Sequence, residues 1–346
     1  MKDLAIVILN WNGEHFLKQF LPGVLRNSGN ARIILADNAS TDGSVSFTRE
    51  NFPEVEIVCN EQNYGFAGGY NAALKRIESK YYLLLNSDIE VTEHWLEPLY
   101  AVMQDPRIAG CQPKVLSYDR PKMFEHAGAS GGYLDRNYFP FCRGRIFDKF
   151  EEDKGQYNGN TEIFWATGAA LLIRSEIFHK AGGFDEQFFA HMEEIDLCWR
   201  IKKMGYSFMV CPSSVVYHVG GGTLPYLSPR KTYLNFRNSL FMIIKNHPGP
   251  LFLKLIWRMI LDGIAGLRFL LRGEWKHLAA VFNAHMAVYR GLPSLLNQRK
   301  IIRNSVTKEN RNGLYRGSIL WARYFKGICR FSELNQRLFN RDFESR

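Results

Sequence analysis

The chain has 346 residues, 46% of them hydrophobic and 23% charged, which excludes an intrinsically disordered or collagen-like chain and is enough to bury a substantial core. The net charge of +10 is unevenly spread: from Lys231 onward there are 21 Lys and Arg against 6 Asp and Glu, so residues 1–230 carry −5 and the remainder +15. A basic region on a mildly acidic body suggests an anionic partner such as a membrane surface or nucleic acid.

The N-terminal apolar run LAIVIL (Leu4–Leu9) is followed at once by NWNG. It is too short for a signal-peptide core and has no cleavage site, so a cytoplasmic location is expected. Three further apolar runs follow: RIILAD (Arg32–Asp37), EIVCN (Glu56–Asn60) and YYLLLN (Tyr81–Asn86). All four are continuous rather than alternating, which predicts strands covered on both faces. Helical patterns over Glu14–Leu25 and Ala67–Ser79 separate them in βαβ rhythm, so an α/β fold with a parallel sheet is expected. Three of the strands end in polar turns: NWNG (Asn10–Gly13), DNASTDGS (Asp37–Ser44) and NSDIE (Asn86–Glu90). In open α/β sheets ligands bind beyond the carboxyl ends of the strands, so these turns should converge on one edge.

Asp88 and Glu90 stand two residues apart just past the fourth strand, where a carboxylate pair could converge on a divalent cation beside a nucleotide phosphate. A solvated turn is the plainer account of a lone D-x-E. Asp37 is placed to accept a hydrogen bond from a base or ribose, although Asn and Asp in DNASTDGS also bond their own backbone in ordinary turns. NYGFAGGYN (Asn63–Asn71) is a glycine-rich helix start without the dinucleotide spacing; its amides could face an anion, or its glycines could serve close packing.

The block from about Ala109 to Pro229 mixes short strands, glycines and aromatics. In HMEEIDLCWR, Asp196 and Arg200 suit an i,i+4 ion pair, while Glu193 and Glu194 diverge by roughly 100° on a helix, so one of them could face a cleft as a general base. His218 follows the apolar VVY, an ordinary place for a packing or capping histidine and a plausible nitrogen ligand if it meets Asp88 and Glu90. The six cysteines have neither C-x-x-C nor zinc-ligand spacing and read as reduced packing residues.

Near Gly249 the character changes to long helical patterns. In PLFLKLIWRMILDGIAGLRFLLR (Pro250–Arg272), Lys254, Arg258, Asp262, Arg268 and Arg272 fall within a sector of roughly 120°. Five charges argue against spanning a bilayer. A helix lying in the membrane interface, basic stripe toward anionic headgroups, is expected; a helix covering the domain or a dimer partner is the alternative. The interleaving of basic residues with long aliphatic runs disfavours nucleic acid.

The motifs VILNWNG, ADNASTDGS, NYGFAGGYN, LLNSDIE, ATGAALLIR, GGFDEQFFAHMEEIDLCWR and YHVGGG, in this order over roughly residues 2–246, resemble those of the inverting glycosyltransferases of family 2, and most closely their bacterial rhamnosyltransferase-like branch. The resemblance implies a GT-A fold with a mixed, mostly parallel sheet over residues 1–248, divided into a nucleotide-binding half (1–108) and an acceptor and base half (109–248), followed by a basic amphipathic helical region (249–346). It implies a dTDP-, UDP- or GDP-sugar donor held by Asn10, Asp37, Asn63, Gly65, Asn71, Asn86, Ser87 and Asp88. It further implies Mg²⁺ or Mn²⁺ held by Asp88, Glu90 and His218. The catalytic base falls on Glu194, one methylene longer than the family's usual Asp, with Glu193 and then Asp196 as the alternatives. The acceptor would be a hydroxyl of a lipid-linked saccharide in surface-polysaccharide synthesis, at the inner face of the cell membrane. A non-catalytic nucleotide-sugar-binding or scaffold protein of the same fold is the rival.

Overall fold

A computed structural model describes residues 3–220 and 228–340. The first four strands form where continuous apolar runs were expected: β1 (Leu4–Asn10), β2 (Arg32–Asp37), β3 (Glu56–Cys59) and β4 (Tyr81–Asn86). Helices α1 (Glu14–Asn27), α2 (Ser44–Asn51) and α3 (Gly65–Leu74) connect them. In the order β3-β2-β1-β4 all four are parallel. Leu4–Val7 and Leu83–Leu85 are fully buried, as strands between two layers must be.

Two expectations shift here. Among the described residues β3 is the last strand of the sheet, bonded only to β2, and its Glu56 and Cys59 are exposed rather than covered. Helix α3 starts two residues early and stops five short of Ser79, because the chain leaves the helical path to bury Ile77 and to place its carbonyl on the Tyr82 hydroxyl (2.7 Å).

After β5 (Ile89–Val91) and α4 (Leu96–Val102) the sheet continues through β6 (Ile108–Ser117). A small second sheet is built from β7 (Gly132–Asp135), β8 (Pro140–Cys142), β9 (Arg145–Ile146) and β10 (Lys149–Phe150). Strands β11 (Thr161–Ile163) and β12 (Ala170–Arg174), helices α5 (Ser175–Lys180) and α6 (Glu193–Lys203), and β13 (Ser207–His218) complete the main sheet, in the order β11-β13-β6-β12-β4-β1-β2-β3 with β5 on β13. Strand β12 runs antiparallel between β4 and β6, so the sheet is mixed and joins residues 1–108 to β6, β12 and β13 without a break. The six cysteines are unpaired, and four of them are buried.

Helices α7 (Pro229–Asn246), α8 (Phe252–Leu271) and α9 (Trp275–Asn304) come next. The long helices end there. Strand β14 (Leu314–Tyr315) adds to β7, α10 (Ile319–Tyr324) follows, and Phe331 and Phe339 insert among Tyr133, Phe141 and Tyr315. Gly313 makes this return feasible: it has φ +85°, and a Cβ there would meet the Phe164 backbone. Buried aromatics contribute about 1.5–3 kcal/mol each, so residues 305–340 belong to the core of the preceding domain rather than to a separate helical unit.

Helix α8 corrects a further expectation. The Arg258–Asp262 end of its charged sector faces the protein, while Arg268 and Arg272 at the other end stay exposed. Arg258 (3% exposed) donates to Asp262 (3.0 Å) and to Ser239 (2.8 Å), lies over the Phe139 ring and has Asp262 beside His285. Buried charges persist when paired and hydrogen-bonded, and here each is. Apolar side chains, including Phe252, Ile256 and Leu270, face outward instead. Among the described residues no helix is long and apolar enough to cross a membrane.

Candidate active site

Parallel register brings the strand ends together: Asn10 lies opposite Asp37, and Leu9 opposite Asn86. The three polar turns therefore share one sheet edge. Asn10 donates to Asp37 (3.1 Å) and to the Ser40 hydroxyl (3.1 Å), while the amide and hydroxyl of Ser40 donate to the Asp37 carboxylate (2.9 and 2.6 Å). Asp37 thus spends its oxygens on the loop, as the turn account of DNASTDGS has it, and both Asn10 and Asp37 are buried.

Asn63 accepts from Asn38 (2.9 Å) and from the Gly65 amide (2.9 Å). Asn38 is the buried centre of this corner, also accepting from Asn60 (3.1 Å), a role its place in the motif did not single out. Asn71 donates to the Phe184 carbonyl (2.8 Å) and the Glu186 carboxylate (3.1 Å), tying α3 to the segment before α6. Gly65, at φ +72°, lies against Phe189 so closely that a Cβ would fall 2.6 Å from its ring.

Asn86 and Ser87 are half-buried at the tip of β4; the Asn86 amide donates to Ala169 (3.0 Å). Asp88 is buried, its Oδ1 3.2 Å from Nε2 of His218 at the end of β13. The other imidazole nitrogen, Nδ1, lies 3.1 Å from the Glu125 carboxylate. Burial alone would lower the His218 pKa, but the two carboxylates outweigh it and raise it to about 10. Burial likewise favours protonated Asp88, yet His218 holds its pKa below the usual carboxylate value.

Glu90 is not part of this cluster. It pairs with Tyr217 and is exposed, whereas Ile89 pairs with His218; antiparallel partners share a face, so Glu90 points to the side opposite His218. Two residues of separation share a face only along a regular strand, and Asp88 lies in the turn before β5. Glu125 takes the place beside His218, from a loop with no motif to mark it. Of the YHVGGG motif, Gly221 and Gly222 lie outside the described residues.

The three carboxylates of α6 have separate surroundings. Asp196 is fully buried and accepts from Arg200 (2.8 Å), Lys245 (2.9 Å) and Asn246 (2.7 Å). Burial would raise its pKa, but Lys245 and Arg200 prevail and lower it to about 2. It locks α6 to α7, including the expected i,i+4 pair, and both of its oxygens accept hydrogen bonds in doing so. Glu193 and Glu194 each keep a buried Oε2 without a partner among the described residues. Burial pushes the Glu194 carboxyl up to about 7, tempered by amides at the helix start. Glu193, which is deeper, is raised by burial and then by Glu194.

The turn presenting this pair is strained: Phe189, His191 and Met192 all have positive φ. Asn238 of α7 holds it, donating to the carbonyls of Phe188 (2.9 Å), Ala190 (2.8 Å) and His191 (2.7 Å). Gly168 connects the two halves of the site. A Cβ there would lie 3.8 Å from that of Glu194, and the next residue, Ala169, bonds Asn86. The carboxylate pair and the NSD tip are therefore neighbours.

Among the described residues no group of three His, Cys, Asp or Glu side chains could by itself hold a metal ion. Asp88 offers a hard oxygen, and His218 an imidazole nitrogen once Nε2 gives up its proton to the incoming cation, a fit for a Mg²⁺ or Mn²⁺ ion that takes its remaining ligands from substrate phosphates and water.

The family model described as "Glycosyl transferase family 2" matches residues 5–182. Among curated proteins, the low-salt glycan biosynthesis hexosyltransferase Agl10 of Haloferax volcanii is 22% identical over 69% of this chain and 74% of its own. The N-acetylglucosaminyl-diphospho-decaprenol L-rhamnosyltransferase of Mycobacterium tuberculosis is 23% identical over 62% of this chain and 75% of its own. Among solved structures, the mannosyltransferase PcManGT of Pyrobaculum calidifontis, in complex with GDP-Man and Mn²⁺, superposes with a TM-score of 0.52 at 13% identity over 88% of this chain and 86% of that one. GalNAc-T7 with UDP, GalNAc and Mn²⁺ gives 0.55 at 17% identity, over 71% of this chain and 48% of that one. These likenesses place the fold in the GT-A group, and with the family match over more than half its length, the chain belongs to glycosyl transferase family 2.

Proposed function

We propose that the protein transfers a sugar, with inversion, from a nucleotide-sugar donor to a hydroxyl of a lipid-linked saccharide at the inner membrane surface, in the synthesis of a surface polysaccharide. The observation that carries this reading is the buried Glu193–Glu194 pair, each with an unpartnered oxygen, beside the NSD tip. Glu194 is the more exposed of the two and would be the base. It takes the proton of the acceptor hydroxyl as that oxygen bonds to the anomeric carbon; the opposite carbon–oxygen bond breaks, and its electron pair leaves with the nucleoside diphosphate. One displacement inverts the centre, and no carboxylate nucleophile is needed.

Asp88 and His218 would hold the divalent ion, which when bound offsets negative charge on the diphosphate. Asn63, Asn86 and Ser87 would border the donor, with the buried Asn10 and Asp37, and Gly65 and Asn71, holding that edge from behind. The relatives' names supply the sugar-transfer and lipid-linked chemistry.

The test is transfer from a panel of dTDP-, UDP- and GDP-sugars to a polyprenyl-diphosphate-linked sugar with Mn²⁺ present. Product is expected from the wild type and at least about a hundredfold less from Asp88→Ala or Glu194→Gln, with the latter still binding donor in calorimetry. Donor binding without product over a broad acceptor panel would instead support a binding protein.

A further inference from the structure

Helix α8 is amphipathic in the reverse sense for a surface helix. Its ion pair, Arg258 with Asp262, is turned inward, and Leu253 (76% exposed), Trp257, Ile260, Ile264, Leu267 and Leu271 (81% exposed) occupy the solvent side. On a wheel at 100° per residue these six span roughly 80°, with Arg268 and Arg272 at the edge. An exposed contiguous apolar face of this size marks an interaction surface.

The surface extends past α8 on both flanks. On α9, Trp275, Phe282, Tyr289 and Leu296 recur every seven residues and are all exposed, and Tyr289 reaches Met259 of α8. On the other side Arg268 donates to Tyr324 (3.3 Å) of α10, where exposed Trp321 and Phe325 stack at 4.3 Å. Residues 249–304 carry nine Lys and Arg against two Asp and Glu; Arg258, Arg299 and Asp262 are buried, so seven basic residues and one acid remain.

We infer that the combined outer face of α8, α9 and α10 docks the enzyme on an anionic lipid bilayer, its aliphatic side chains entering the headgroup–acyl boundary, its Trp and Tyr residues sitting at headgroup depth and its basic residues binding lipid phosphates. Charge selects this occupant over a second copy: two such basic faces repel each other, whereas an anionic surface attracts one. Apolar area, interfacial aromatics and adjacent basic groups are the three components of interfacial helix binding. The inference builds on the proposed lipid-linked acceptor, but vesicle binding is scored without catalysis, so the two readings fail separately.

The experiment is flotation of the full-length protein with phosphatidylcholine vesicles, with and without phosphatidylglycerol, across a salt series, alongside light scattering. Wild-type protein should float with the anionic vesicles and less so as salt rises. The double variant Ile260→Glu/Ile264→Glu should weaken binding by about tenfold or more, with its melting temperature kept because both side chains are exposed. Arg268→Glu/Arg272→Glu should remove the preference for phosphatidylglycerol. Failure of the wild type to float at low salt overturns the inference. So does a dimer in light scattering that Ile260→Glu/Ile264→Glu converts to monomer while vesicle binding is unchanged.

Discussion

His218 and Glu125 are held 3.1 Å apart, and the same imidazole presents its other nitrogen to Asp88. A carboxylate on the rear nitrogen fixes the ring's orientation and makes the front nitrogen a better ligand. Glu125→Gln is therefore expected to weaken Mn²⁺ binding about 10- to 100-fold, read by electron paramagnetic resonance titration of the protein without substrate. Glu90→Gln, whose side chain faces the other way, should change it far less than Asp88→Asn. A larger effect at Glu90 would restore it to the ion's ligands.

Glu194→Gln should lower kcat by about 10²- to 10⁴-fold while leaving donor affinity intact, the range for loss of a general base. Glu193→Gln should cost less, because Glu193 is the deeper of the two. The base acts when deprotonated, and burial sets the Glu194 pKa at about 7, so kcat/KM should rise with pH through that value and level off above it. A rate already flat from pH 5 upward would remove Glu194 from the role.

Asp196 predicts a stability effect with little chemistry in it. Asp196→Asn takes from half-buried Arg200 and buried Lys245 their shared anion; Lys245 keeps Asp185 (2.6 Å), so the cost should lie near the low end for a broken buried pair, about 3 kcal/mol in denaturant unfolding. The folded pKa of about 2 lies below the ordinary carboxylate value, so the wild-type contribution is complete above that value and disappears as pH falls toward 2. The variant's stability should accordingly vary less than the wild type's over that interval.

Gly65→Ala tests how the donor edge and the base loop depend on each other. The alanine would hold a left-handed backbone and press on Phe189, whose carbonyl accepts from the Phe66 amide (2.9 Å). A loss of about 1–3 kcal/mol is expected, with a fall in kcat larger than in donor affinity, because the displaced segment leads into Met192 and Glu193. Equal loss of both would show that only the donor pocket had moved.

Local patterns by themselves determined the alternating strands and helices of the first hundred residues, the polar ends of β1, β2 and β4, the Asp196–Arg200 pair and the change to long helices near residue 249. Each depends on side-chain periodicity or on neighbours within one turn, which a single segment carries. Tertiary structure decided the rest. Glu125 meets His218 across 93 positions of chain, and Asn238 reaches back some 50 residues to hold the base turn, contacts that no local pattern encodes. The charged sector of α8 was legible as a sector, but a helical wheel fixes only relative angles. Ser239, Phe139 and His285 settled which side turned inward: they give Arg258 an acceptor and a ring face and set an imidazole 3.6 Å from Asp262, which leaves the apolar side outward.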